Sequence, residues 1–118
     1  MPFEDVRLRL SDIVDAIESI SRFLIGMDQE SYSRDERTQA AVERKLLIIS
    51  EAAIRLKGSA ESLCPEIPWR DIRGIGNWFR HGYDKIDPET IWNTIQDDLP
   101  PLKAAVARAL RGLESQRP

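Results

Sequence analysis

A chain of 118 residues, with 42% hydrophobic and 31% charged residues, has the size and make-up of one globular unit with a real core. Its net charge of −3 excludes a generally basic nucleic-acid coat, so any RNA contact must use a local patch. The single cysteine, Cys64, excludes an internal disulfide and a cysteine-rich zinc site, and no apolar run approaches the roughly 20 residues that cross a bilayer.

The chain opens on Met-Pro-Phe-Glu-Asp, which lacks the basic and apolar regions of a signal peptide, so a reducing cytoplasmic setting without membrane contact is expected. Val6, Leu10, Ile13, Ile17, Ile20 and Leu24 then alternate spacings of four and three. That period predicts a long amphipathic helix from about Phe3 to Ile25, stopped by Gly26. Met27 to Tyr32 is polar and reads as a connection. Ser33-Arg-Asp-Glu36 has the form of a capping box with Ser33 at the N-cap, opening a second helix that runs to about Lys57. Its stripe is Val42, Leu46, Ile49, Ala53 and Leu56, and Leu47 and Ile48 widen it, so this helix is expected to touch several neighbours, another subunit among them.

Gly58 to Pro68, with two prolines and small polar residues, reads as a loop. Pro68 suits the first turn of a third helix from about Trp69 to Arg80. Gly74 and Gly76 cost that helix about 1 kcal/mol each relative to alanine. Either the backbone is closely approached there, or the helix is locally irregular. Gly82 is placed to end it, and Asp87-Pro88 is an N-cap and first-turn pair for the last segment. There Trp92, Ile95, Leu99, Leu102, Val106, Ala109 and Leu113 stay in phase across Pro100-Pro101, which predicts a kink or two nearly collinear helices. No segment alternates with period two. The chain reads as all-α, a four- to five-helix up-and-down bundle forming one domain over residues 1–118, with about 112–118 frayed.

The chemistry concentrates between Ile72 and Tyr83, around the one histidine, His81. Arg73, Asn77 and His81 are four apart, so an unbroken helix would align them as one polar stripe of cation, amide and imidazole. Such a stripe suits a phosphodiester better than an apolar ligand. Each member also has a bland reading: His81 as a cap for final carbonyls, Arg73 and Arg80 as solvated charges, Trp78 and Phe79 as core, Tyr83 as a helix-end anchor. The group is more specific than any member.

Asn77-x-x-x-His81-x-Tyr83, preceded by Ile-x-Gly-Ile and followed by Asp-Lys-Ile-Asp, resembles the signature region of HEPN domains. The nearest branch is the HepT-like toxins, which pair with a minimal nucleotidyltransferase antitoxin. Ala41 to Ala53, Pro68-Trp69, Ile91-Trp92 and Leu99-Pro100 look similar to the same family, so the resemblance covers most of the chain. It implies a toxin of a type VII HepT/MNT-like toxin–antitoxin system. The implied assembly is a homodimer whose shared cleft cuts RNA without a metal or other cofactor. The RNA 2′-hydroxyl attacks the adjacent phosphate, His81 transfers a proton or orients the phosphate, and an arginine stabilises the phosphorane. Tyr83 matches the tyrosine to which the antitoxin attaches AMP.

The family's arginine stands with four to six residues between it and the histidine, a window that holds Gly74, Ile75 and Gly76 in this chain. The cation is therefore supplied from Arg73, about 12 Å from His81 along a helix axis, or from Arg80, or it is missing. Glu51, with Arg44 and Arg55 nearby in sequence, reads either as a surface Glu51–Arg55 pair or as a carboxylate that orients a cleft arginine. Two functions follow: a ribonuclease toxin, or a catalytically weak or inactive HEPN module that binds a nucleotide or a nucleotidyltransferase partner.

Overall fold

In the computed structural model, which describes residues 2–80 and 86–116 with Arg80 given by its backbone alone, the apolar period of the first segment builds α1 (Phe3–Phe23). Leu10, Ile13, Ile17 and Ile20 are buried along one side of it, and Gly26 at φ 78° ends the following turn. α3 (Glu36–Leu56) buries Val42, Leu46, Ile49, Ala53 and Leu56, the stripe read from the sequence. Arg9 and Asp12 in the first half of α1 share a surface depression with Ile48, Glu51 and Arg55 in the second half of α3, so the two long helices run antiparallel.

Their connection is more ordered than its composition suggests. Asp28 caps a short helix, α2 (Gln29–Ser33), through a reciprocal capping box with Ser31. Tyr32 of α2 is fully buried, its ring 5.6 Å from that of Trp92. Burial of Tyr32 keeps α2 helical and moves the start of α3 to Asp35, whose side chain accepts from the Thr38 N–H. Ser33 is thus not the N-cap of α3; its hydroxyl donates back to the Gln29 carbonyl at the end of α2. The segment read as a loop also contains a helix, α4 (Gly58–Leu63).

The predicted third helix is broken. α5 (Trp69–Gly74) and α6 (Asn77–Arg80) are separated by a turn at Ile75 and Gly76. α5 packs on α3, and its Trp69 is buried with the indole N–H donating to the Cys64 carbonyl. Asp87 caps α7 (Pro88–Asp97) with Pro88 in its first turn, as the sequence predicts. α8 (Leu99–Ser115) follows after one residue, Asp98. The apolar register crosses this break intact: Ile95, Leu99, Leu102 and Val106 are buried, and Trp92, Ala109 and Leu113 pack beside them. α8 lies along α1, while α7 packs on α2. The described residues hold eight helical segments and no strand, so the fold is the all-α bundle expected. Among them no helix is long and apolar enough to cross a membrane.

Candidate functional site

Two side chains hold the segment that leads into the motif, and both act from α3 or onto it. The first is Ser50, fully buried in the α3 stripe. Its hydroxyl donates to the Arg73 carbonyl at 2.7 Å and accepts the Gly76 N–H at 3.0 Å. In an unbroken helix the Gly76 N–H would bond the Ile72 carbonyl four residues back. Ser50 replaces that partner, and it satisfies the carbonyl on the other side of the break with the same group. Beyond the break, the Trp78 N–H bonds the Ile75 carbonyl and the Phe79 N–H bonds the Gly76 carbonyl, spacings of three that mark a tightened turn. An alanine Cβ at Gly74 would meet nothing within 4 Å, so of the two sequence readings the structure favours local irregularity over close approach there.

The second is Arg73. Its Nε donates to the Ala53 carbonyl at 3.1 Å and one terminal nitrogen to the Lys57 carbonyl at 2.8 Å, covering carbonyls at the open end of α3. Both terminal nitrogens also meet Glu61 of α4, at 2.7 and 2.8 Å. The planar fork matches the carboxylate two bonds at a time. The hydrogen bonds from Arg73 hold the Glu61 carboxyl down to about 2, and Glu61 in turn pushes the Arg73 guanidinium up. Lys57, between α3 and α4, has a φ of 51° and ψ of −138°, a region suited to glycine, so the corner that Arg73 ties down is strained.

Asn77 opens α6 with an exposed side chain. Trp78 and Phe79 are half-buried against the core and meet edge to face, at 6.2 Å between ring centroids. Arg73 and Asn77 do not share a stripe in the way an even helical period would place them, because Arg73 turns back onto α3 and the turn at Ile75–Gly76 interrupts the period. His81 and Tyr83, with Gly82 as the expected helix stop, lie outside the described residues, as does the Arg80 side chain.

Glu51 is exposed beside Arg9, Asp12 and Arg55 in the depression between α1 and α3, and it forms no ion pair with Arg55. Arg44 is exposed on α3. Glu51 projects about 100° around the helix from Ser50. Among the described residues the α3 side chain hydrogen-bonded to the segment before the motif is Ser50, which sequence reading passed over. A signal was present: Ser50 falls four residues after Leu46 and three before Ala53, a hydroxyl in phase with an apolar stripe. Among the described residues no group of three or more His, Cys, Asp or Glu side chains is placed to hold a metal ion.

The helical bundle, with a broken helix that leads in sequence to the polar motif, belongs to the class that comparison with known proteins identifies. The sequence model described as Ribonuclease HepT-like matches residues 13–109. This chain belongs to the ribonuclease HepT-like family. A relative in Thermococcus cleftensis, named "Probable ribonuclease HepT", is 38% identical over 94 residues, covering 80% of this chain and 86% of its own. "Putative RNase MJ0125" of Methanocaldococcus jannaschii is 28% identical over 116 residues, covering 98% of this chain and 100% of its own. "Putative RNase TTE0752" of Caldanaerobacter subterraneus subsp. tengcongensis is 28% identical over 102 residues, 86% of this chain and 91% of its own. No solved structure matches.

Proposed function

We propose that this chain is the toxin of a type VII HepT/MNT-like toxin–antitoxin pair, a homodimeric endoribonuclease whose partner is a minimal nucleotidyltransferase. The observation that carries the reading is Asn77-x-x-x-His81-x-Tyr83, set within a family match spanning residues 13–109. In the reaction the RNA 2′-oxygen bonds to the adjacent phosphorus and the P–O5′ bond breaks. His81 moves the proton or orients the phosphate, Asn77 donates a hydrogen bond to it, and no metal or other cofactor takes part. Since four bonds from Arg73 already go to α3 and Glu61, the cation assigned to the phosphorane is Arg80, next to His81. Two copies facing each other would double this small basic patch, which the overall charge of −3 does not otherwise supply. Leu8 on α1 and Ile54 on α3 are exposed apolar side chains of the kind that a second subunit would cover. Glu51 and Arg44 are supporting residues on α3 in this reading. Tyr83 accepts AMP from the antitoxin, and the added phosphate and adenine occupy the cleft that RNA needs. The cytoplasm is its setting, and residues 1–118 act as one domain.

Expression should arrest growth, and His81→Ala should lower cleavage of RNA by about 10²–10⁴-fold. Full activity in that variant, or activity abolished by EDTA, would overturn the mechanism. Sedimentation that shows only monomer would remove the shared cleft. Co-expression with the nucleotidyltransferase should add whole AMP units to the intact mass, a gain lost in Tyr83→Phe. One observation favours a second reading, an inactive module that binds a nucleotide or the nucleotidyltransferase: Gly76 stands in the window of the family's arginine, and Arg73 is committed elsewhere. Arrest of growth that persists in His81→Ala would support it.

A further inference from the structure

We infer that Ser50 and Arg73 are positioning residues that set the angle at which α6 presents Asn77 and the histidine motif, an inference that rests on the ribonuclease reading for its effect on rate. The geometry is that of two bolts on one short segment. Ser50 fixes the backbone on both sides of the α5–α6 break, at the Arg73 carbonyl and the Gly76 N–H. Arg73 fixes the last turn of α5 to the end of α3 and to α4. α5 has six described residues and α6 four, too few to hold a direction through their own ladders. Both bolts come from long range, 12 to 26 residues away in the chain. One residue, Arg73, joins them, because its carbonyl meets Ser50 while its guanidinium meets α3 and Glu61.

The separation of roles is as informative as the contacts. A guanidinium that binds phosphate raises RNA affinity and steepens its salt dependence. One that braces the backbone changes neither, yet a misplacement of about 1 Å at the reacting groups lowers the rate by about 10²-fold. Among the described residues the bonds of Ser50 go to backbone groups, the Arg73 carbonyl and the Gly76 N–H, and the side chain is fully buried, so its effect on cleavage travels through the turn it holds.

The test uses the full-length dimer and a labelled, unstructured RNA oligonucleotide of mixed sequence. Ser50→Ala should lower the single-turnover rate at saturating RNA by about 10²-fold per folded dimer. RNA affinity, measured in the His81→Ala background, should stay unchanged, and the Gly76 amide should lose its protection from hydrogen exchange. Arg73→Gln should show the same split between rate and affinity. Glu61→Gln, on the exposed side of the clamp, is the mild variant and should give a smaller loss in the same direction. A Ser50→Ala protein that is folded and cleaves at the wild-type rate would overturn the inference. So would an Arg73→Gln protein with weaker RNA binding and a salt slope reduced by about one, the mark of a lost phosphate contact. If the wild type cleaves no RNA, the ribonuclease reading fails by itself. Exchange at Gly76 still decides the clamp, and unchanged protection in Ser50→Ala would overturn it.

Discussion

The α1–α3 pair and the α5–α6 segment are built on opposite terms. Each of the two long helices has 21 residues, and each carries its own instruction in an apolar stripe that meets the partner's. α5 and α6 are short, interrupted at Ile75 and Gly76, and kept in place by a hydroxyl of α3 that bonds to their backbone and a guanidinium of α5 that bonds across to α3. The long pair is rigid because it is redundant: many buried contacts each contribute a part of the stability. The short segment is defined by a few directional bonds, so one lost bond changes its direction. In this fold the part that resembles a catalytic motif hangs from the part that depends least on its own sequence.

The largest effect that would sharpen this contrast is in the long pair. Leu46, fully buried on α3, should cost about 2–5 kcal/mol of unfolding free energy on replacement by alanine. Denaturant unfolding checks the loss, while the cleavage rate per folded protein should be unaltered. A rate that falls in step with stability would mean that the two regions are not separable. At the corner between them, Lys57→Gly should relieve the positive φ and raise stability by about 1 kcal/mol. A neutral or destabilised variant would show that this corner is not strained.

Smaller effects test the ends of the helices. Asp35→Ala should lower the unfolding midpoint, because it removes the acceptor for the Thr38 N–H, and Ser33→Ala should lower it less. The reverse order would restore Ser33 as the cap of α3. The smallest effect is a pH dependence. Glu61 has its folded value held down to about 2 from an ordinary 4.5, first by the hydrogen bonds from Arg73. A depressed carboxylate stabilises the fold above its ordinary value, and this contribution fades as pH falls from about 4.5 toward 2. An acid titration of the wild type should therefore lose more stability across that window than Glu61→Gln does. Equal losses would mean that the clamp adds nothing to folding.

Sequence by itself determined the all-α class, the buried stripes of α1, α3 and α8, the Asp87–Pro88 start of α7 and the family motif. Each of these is written in local spacing, and local spacing survives in a single chain read from end to end. The same local logic missed the start of α3: Ser33 and Asp35 both suit a cap, and burial of Tyr32 against Trp92 decided between them. It also read residues 58–68 as a loop, since nothing nearby in sequence announces that Glu61 will meet Arg73. Tertiary structure alone decided what Ser50 and Arg73 do. Arg73 looked like a free cation two turns from His81, and Glu51 drew attention away from the serine beside it. The bonds that settle their places join residues 12 to 26 apart, and a hydrogen bond of that span leaves no period in the sequence.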